Sequence, residues 1–573
     1  MAGTGKMTSV DYINISQSEI VDHGKFSELP LDRLELFKGF IYPRMIYYKG
    51  AFRSHLDVLN LLESGVSWAD AGYESRRNLY SIWNLPGFSG IHLSNYLLPY
   101  GITTKVINNF DAEFDLFCEA YKNAGKPPLV GISTTFYMKA TEIRRLLTKI
   151  RSVFTDVEVV VGGAFISAEV KANSPEWLHE IMLKYGINYA IHSVNSEEDL
   201  KALIDWHRKG KKGALDHIKN LAYLAEENGA LVVRETGEEW HGPNLSEPPA
   251  KWHELELPFL RSTIQMRTSA GCAFSCAFCS YPEIAGGFFH KPVDDFERHL
   301  VSVLKIPGIN KVIFLDDTPN TPRKRWIELC KMFAKHDFEW FSFLRVQFVD
   351  DEVARLMKES GCVGVFLGIE SANNEVLKNM NKKATREKFA SGMASLRKYG
   401  IMTMASLVYG FPGETDETIE QNVQFIEEMG FDYYSIKEFL YLENTPIYER
   451  REEFGLQGNI NKWSHNTMDS ARTLRHKLNS FKRIKKSQWV DPDISLWYLA
   501  YLYDLGFDLE QINQIQTQLN EIMLSQMEGE MDDAHPGFAR ILEVLESREH
   551  IEAPTAGQKN FKKQVEQSVK AIA

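Results

Sequence analysis

The sequence predicts an α/β protein in which two parallel-sheet units follow one another and a helical region closes the chain. Three observations carry that expectation. Apolar runs of strand length alternate with amphipathic runs of helix length from Arg44 to about Trp206. Between Arg208 and Pro258 the alternation gives way to glycine, proline and charge. From Thr263 to about Tyr448 it resumes, and beyond Tyr448 only helical patterns are left. Strands that alternate with helices pair in parallel, and the resulting sheets bind ligands beyond the carboxyl ends of their strands.

In the first unit the strand candidates are Arg44 to Tyr48, Thr103 to Asn108, Leu129 to Thr134, Val157 to Val161 and Tyr189 to His192. Helical spacing over Gly90 to Tyr100, Ala112 to Ala124, Ala140 to Phe154 and Ser174 to Leu183 makes the unit doubly wound. A small hairpin is expected around Leu221 to Arg234, where Asn228-Gly229 can supply the turn. In the second unit the strands are Thr263 to Arg267, Lys311 to Leu315, Phe341 to Gln347, Gly364 to Ile369, Met404 to Val408 and Tyr433 to Phe439. That series suits a barrel or partial barrel with its site at the strand carboxyl ends. The expected boundaries are an N-terminal extension over 1–43, a first domain over 44–207, a linker with the hairpin over 208–260, a barrel over 261–448 and a helical region over 449–573. The last includes an aromatic stretch near Trp497 to Tyr503 and a charged tail from Arg548.

Bulk properties narrow the function classes. The chain of 573 residues has 44% hydrophobic and 25% charged residues, an ordinary globular mix. Its 65 Lys and Arg against 77 Asp and Glu give a net charge of −12, without the basic footprint of a nucleic-acid binder. No uncharged apolar run approaches the ~20 residues that span a bilayer, and Met1 to Tyr12 lacks the features of a signal peptide. A soluble, cytoplasmic protein is expected, with no membrane partner. Six cysteines are too few for a disulfide framework at this size.

Three of those cysteines fall within eight residues. Gly271-Cys-Ala-Phe-Ser-Cys-Ala-Phe-Cys-Ser280 spaces Cys272, Cys276 and Cys279 as C-x-x-x-C-x-x-C, directly after a strand candidate. One loop can thus present three thiolates to a single inorganic cluster, leaving one iron of a cube open; a zinc site would want a fourth ligand, and the nearest His is His290. This spacing, with Phe278 just before the last Cys, resembles the signature of radical S-adenosylmethionine (SAM) enzymes. The resemblance implies a 4Fe-4S cluster whose open iron chelates SAM and, given one electron, releases a 5′-deoxyadenosyl radical. It also implies an external low-potential donor such as a flavodoxin or ferredoxin. Phe314-Leu-Asp-Asp317 is similar to the family's loop at the SAM amino group, which makes Asp316 and Asp317 candidates. Gly368-Ile-Glu-Ser371 resembles the motif near the ribose and methionine, with Glu370 and Ser371. Ser406-Leu-Val-Tyr-Gly-Phe-Pro-Gly-Glu414 resembles the motif that passes the adenine, where Gly410 lets the backbone approach. Arg345, at a strand end, could pair with the SAM carboxylate, with the substrate, or with a residue of the barrel. Cys118, Cys330 and Cys362 read as small buried residues.

The first unit carries its own loops. Leu129-Val-Gly-Ile-Ser-Thr-Thr135 ends one strand with Ser133, Thr134 and Thr135, and Val159-Val-Val-Gly-Gly-Ala-Phe165 ends the next with Gly162, Gly163 and Ala164. Small hydroxyl donors and missing side chains suit a wide, flat ring with a buried tail. The arrangement resembles the cobalamin-binding domain of B12-dependent methyltransferases and mutases. It lacks the D-x-H-x-x-G string, and His92, near that place, reads as a helix residue; the cobalamin-dependent radical SAM family commonly lacks the string. The resemblance therefore implies a Rossmann-like doubly wound sheet of B12-binding type, then a radical SAM partial (β/α)6 barrel, then a helical region.

The activity implied is transfer of a methyl group from SAM, through methylcobalamin, to an unactivated carbon or phosphorus of a small-molecule or peptide substrate. Ring contraction, cyclisation or oxidation with the same cofactors is the alternative. A corrinoid-binding carrier or sensor without turnover is another. RNA methylthiolation would want a further cysteine trio and a basic RNA module, and the run Lys482-Arg-Ile-Lys-Lys486 reads as a solvated helix face. Arg345, Tyr409 and Glu438 are the candidate catalytic side chains, and Tyr434 and Lys437 are further candidates for substrate contact.

Overall fold

The computed structural model describes residues 9–20, 41, 44–172, 175–245, 251, 255, 257–491 and 495–548. Twenty strands are named below in chain order. The first sheet uses β1 (Tyr12–Gln17), while β2 (Met45–Tyr48) and β3 (Ala51–Ser54) form a separate hairpin. The sheet continues with β4 (Thr104–Asn109), β5 (Leu129–Ser133), β6 (Val159–Gly162), β7 (Tyr189–Ile191), β8 (Leu221–Glu227) and β9 (Ala230–Glu235), in the order β4-β1-β5-β6-β7-β8-β9. The first five of these run parallel and the last two antiparallel. Ile13, Ile15, Val130, Ile132, Val159 and Val161 face one helical layer, and Tyr12, Leu129, Val160 and Tyr189 face the other. Both faces are covered, which is why these strands read as continuous apolar runs.

Two boundaries differ from expectation. The segment 1–43 was expected to be an extension, yet it contributes β1, which sits between β4 and β5 and pairs with both. Its six residues run Tyr-Ile-Asn-Ile-Ser-Gln, so the polar residues at 14, 16 and 17 interrupt the apolar run and masked a strand buried along its whole length. The Arg44 to Tyr48 candidate is a strand, but it joins no large sheet. It pairs with β3 and packs on the end of the chain, where Tyr48 stacks on Phe538 at 4.2 Å and Tyr47 N–H donates to Gln526 Oε1 at 2.8 Å. The hairpin at 221–235 forms as expected, with Asn228 and Gly229 at φ 50° and 79°, and it extends the first sheet rather than standing in a linker.

The second sheet begins with β10 (Thr263–Met266); β11 (Ser269–Gly271) and β12 (Phe288–His290) make a small ribbon beside it. It continues through β13 (Lys311–Phe314), β14 (Glu339–Leu344), β15 (Cys362–Glu370), β16 (Met402–Tyr409) and β17 (Tyr433–Glu438). The ribbon β18 (Gln457–Asn459) and β19 (Lys462–Ser464) precedes β20 (Gln488–Trp489), which adds a seventh parallel strand. The region after Tyr448 is therefore not purely helical, as expected; strands of two or three residues are too short to show a period. The order β10-β13-β14-β15-β16-β17-β20 is sequential and the end strands do not pair, so the barrel is partial and open.

Its two faces are packed differently. On the outer face Phe314 stacks on Phe333 at 4.9 Å and Trp340 meets Trp326 at 5.7 Å, sealing the sheet against helices. On the inner face Phe341 meets Tyr503 at 5.6 Å and Phe343 meets Trp497 at 5.2 Å, so the aromatic helix Ser495–Asp504 lies across the inner side. Among the described residues no helix is long and apolar enough to cross a membrane. The tail expected beyond Arg548 lies outside the described residues.

Candidate active site

The cysteine loop leaves the β11 strand and is clamped by the segment after helix Asn374–Asn379. Ala277 N–H donates to Met380 O at 2.8 Å, and Asn381 Nδ2 donates to Ser275 O at 2.7 Å. Arg345, just past β14, donates from Nη1 to Lys382 O at 2.9 Å and from Nη2 to Cys276 Sγ at 2.9 Å, with its guanidinium 3.6 Å from the centre of the Phe274 ring. Asn320 fixes the same arginine through its backbone, Nδ2 donating to Arg345 O at 2.8 Å. Burial pushes the Cys279 thiol up to about 11, and the charges of Cys276 and Cys272 push in the same direction. Thr318 Oγ1 donates toward Cys272 Sγ at 3.8 Å. Three thiols on one loop, with a guanidinium on the buried one, suit a multi-iron cluster whose sulfur ligands carry negative charge.

The strand ends around this loop sort the expected residues. Asp316 is buried and fully used: Thr268 donates to it from N at 2.9 Å and from Oγ1 at 2.7 Å, and Ser269 Oγ donates as well. Asp317 is exposed, yet desolvation first and the charge of Asp316 second push its carboxyl up to about 7. Tyr281 hydrogen-bonds it. Of the expected pair, only Asp317 is free to take an ammonium ligand. Glu370 has a left-handed backbone at φ 62° and accepts from buried Lys382 Nζ at 2.7 Å.

Ser371 and Gly410 belong to one buried network that the sequence did not reveal. Asn422, on helix Asp416–Met429, accepts from Ser371 Oγ at 3.3 Å and from Ala372 N–H at 2.6 Å, and donates to Glu414 Oε1 at 2.9 Å. Glu414 in turn accepts from Gly410 N–H, and burial pushes its carboxyl up to about 8. Gly410 has φ 84°, and a Cβ there would stand 2.3 Å from Trp463 and 2.5 Å from Thr473 Oγ1. The close approach it permits is therefore to the C-terminal region. Phe278 packs on Phe411 at 6.3 Å beside this network.

Two candidate catalytic side chains point elsewhere. Tyr409 is fully buried, with its hydroxyl 3.1 Å from Ser480 Oγ on the outer side. Glu438 shares that side: it accepts from fully buried Lys477 Nζ at 2.8 Å and lies 3.6 Å from Arg44. Parity decides both, because Tyr409 and Glu438 are register partners facing helix Ser470–Arg483, whereas Val408 and Lys437, one step earlier, face inward.

At the carboxyl edge of the first sheet, the loops after β5 and β6 meet. Thr134 donates from N and Oγ1 to Gly162 O at 2.8 and 2.9 Å. Gly163 has φ 112°, and a Cβ would lie 3.2 Å from the backbone nitrogens of Thr134 and Thr135, so loop contact by itself demands glycine there. Ser89 Oγ donates to Ser133 Oγ at 3.2 Å, and Ser133 lies 3.2 Å from Thr135 Oγ1. Gly162, Gly163, Ala164 and Ser133 remain partly exposed and Thr135 is exposed, so this edge presents small groups and backbone. His92 faces away, 2.9 Å from Glu197 and 3.5 Å from Arg267 Nη2.

This edge faces the cysteine loop. Helix Ala164–Ala172 reaches the helix that follows Cys279, with Lys171 Nζ donating to Glu283 O at 3.0 Å. Phe136, from the loop after β5, lies 6.4 Å from Trp497, which lies against Phe343 of the barrel.

Residues 266–426 match the family model of the Radical SAM superfamily, so the second unit is a radical SAM domain. An uncharacterized methyltransferase of Pyrococcus horikoshii is 28% identical over 389 residues, 66% of this chain and 78% of that protein. The anaerobic magnesium-protoporphyrin IX monomethyl ester cyclase of Rubrivivax gelatinosus is 25% identical over 320 residues, 54% of this chain and 55% of that protein. Among solved structures, the cobalamin-dependent SAM radical enzyme OxsB with aqua-cobalamin and SAM bound has the same two-unit α/β architecture, at TM-score 0.54 and 15% identity, covering 98% of this chain and 81% of that one.

Proposed function

We propose that this protein is a cobalamin-dependent radical SAM methyltransferase that moves a methyl group from SAM, by way of cobalamin, to an unactivated carbon or phosphorus of a small-molecule or peptide substrate. The observation that carries the reading is the facing of two strand edges: the edge at β5 and β6 faces the loop that bears Cys272, Cys276 and Cys279. When bound, a 4Fe-4S cluster with SAM supplies a 5′-deoxyadenosyl radical, and cobalamin supplies a transferable methyl group.

The chain's own residues hold and orient these groups. Cys272, Cys276 and Cys279 would ligate the cluster, and the Arg345 guanidinium on Cys276 would stabilise charge on that sulfur. Asp317 would accept from the SAM ammonium, and the Glu370–Lys382 pair, Ser371 and Phe278 would border the cofactor. Ser133, Thr134, Thr135, Gly162, Gly163 and Ala164 would receive the corrinoid and its tail. An external flavodoxin or ferredoxin would deliver the electron, in the reducing cytoplasm.

A second reading, ring contraction, cyclisation or oxidation with the same cofactors, is favoured by the likeness to the anaerobic cyclase. One experiment separates the two. Protein reconstituted anaerobically with iron, sulfide and hydroxocobalamin is reduced and given SAM, and the products are followed by mass spectrometry. Formation of both 5′-deoxyadenosine and S-adenosylhomocysteine is expected. The nucleoside alone would favour the second reading, and neither product would remove the radical assignment and restore a carrier or sensor.

A further inference from the structure

The inner face of the partial barrel is an aromatic platform with one charged end. Phe343 and Phe366 are register partners with ring centres 5.3 Å apart, and Trp497 lies 5.2 Å from Phe343. Phe136 continues the row from the first unit, 6.4 Å from Trp497 and 5.4 Å from Trp83. All five rings stay partly exposed, whereas Phe314, Phe333 and Trp340 on the outer face are buried. Higher on the same inner face, Gly368 and Val408 are half-exposed, and Val408 is the register partner of Lys437.

Lys437 is exposed at the end of β17, and among the described residues it has no hydrogen-bond, ion-pair or ring partner. The other cations at these strand ends are committed: Arg267 lies 3.8 Å from Glu197, Arg345 is held by Cys276 and Lys382 O, and Lys382 pairs with Glu370. Flat ring faces favour stacked or edge-on apolar rings, and an ammonium group with no partner of its own favours an anion. Helix Ser495–Asp504 belongs to neither cofactor-binding unit, so its Trp497 is free to serve substrate recognition.

We propose that this face is the substrate subsite, and that the substrate joins a flat, apolar ring system to an anionic group: the ring rests on Trp497, Phe343 and Phe366, and the anion meets Lys437 Nζ. The proposal rests on the radical SAM reading only in taking this face as the place of reaction. The SAM carboxylate is the other anion that could reach Lys437, and the test must tell the two apart.

Reconstituted protein would be titrated with 1-pyrenebutyrate and with its methyl ester, following fluorescence anisotropy, without turnover. The acid is expected to bind at least about tenfold more tightly than the ester, the ratio a charge-assisted hydrogen bond supplies. Lys437→Gln should abolish that ratio while leaving the ester's affinity intact, Lys437→Arg should restore it, and Trp497→Leu should weaken both probes. SAM affinity, by equilibrium dialysis, should be unchanged in Lys437→Gln. An acid-to-ester ratio that survives Lys437→Gln would overturn the proposal, and so would a loss of SAM affinity in that variant. Because the readout is binding, a failure to form 5′-deoxyadenosine would count against the proposed function while leaving this result to be judged separately.

Discussion

The two strand edges that carry the candidate site are built in opposite ways. Around the cysteine loop, long side chains are locked into place by others: Arg345 on Cys276, Lys382 on Glu370, and Thr268 with Ser269 on Asp316. Along β5 and β6 the chain uses almost no side chain, and the contacts run between Thr134 and the backbone of Gly162, with Gly163 tucked against the next loop. A small charged cluster needs ligands fixed within a fraction of an ångström, and buried ion pairs provide that rigidity. A broad flat ligand needs room, which the chain provides by removing side chains.

That contrast can be broken in order of expected effect. The largest belongs to Cys276→Ala, expected to abolish the ~4 iron per chain of one cubane; iron and sulfide analysis with electron paramagnetic resonance checks it, and retained iron would end the cluster assignment. Next is Ala164→Trp, which adds bulk to this edge at β6 without touching the left-handed Gly163. It should strip cobalamin from the purified protein while leaving iron content unchanged, read as corrin absorbance against iron. The adjacent aspartates sharpen the comparison within one loop. Asp316→Asn should destabilise the fold by about 1–3 kcal/mol because buried donors lose their charged acceptor, whereas Asp317→Asn should leave thermal stability near wild type and weaken SAM binding. Denaturant unfolding and equilibrium dialysis measure the two effects, and equal stability losses would contradict the assignment.

The smallest effect is one of pH. Burial raises Glu414 to about 8 from an ordinary value of 4.5, so the folded state holds a proton that the unfolded state releases. Its contribution to stability is full below about 4.5 and declines as pH rises toward about 8. Replacing it with Gln should flatten the melting temperature across that window relative to wild type. A difference between the two proteins that does not vary with pH would show that Glu414 is not protonated in the fold.

Legibility followed the same division. The cysteine spacing and the alternation of strand and helix stand in the sequence because each is a local pattern, and the strand centres at 129–133, 311–314 and 402–409 fall where the periodicity puts them. β1 was hidden because its polar residues are buried by partners distant in the chain: Asn14 and Ser16 bond the backbone of Gly90, and Gln17 bonds Asn108 of β4 and the carbonyls of Trp83 and Leu85. The outward orientation of Tyr409 and Glu438 was not legible for a similar reason. A strand end offers two adjacent side chains, and which of them faces inward depends on the twist and register of the assembled sheet. Asn422 could have been sought only as a polar residue on an otherwise apolar helix face.

By itself, then, the sequence determined that one loop carries three thiols, that two parallel sheets would form, and that small residues end β5 and β6. Each follows from spacing or from hydrophobic period, which act over a few residues. Only the tertiary structure decided that Asp316 is taken up by Thr268 and Ser269, that Lys437 and not Glu438 lies on the inner face, and that Trp497 from the far end of the chain packs on Phe343. Those outcomes depend on which buried group finds a partner first, and partners separated by tens or hundreds of residues meet only once the sheets have packed.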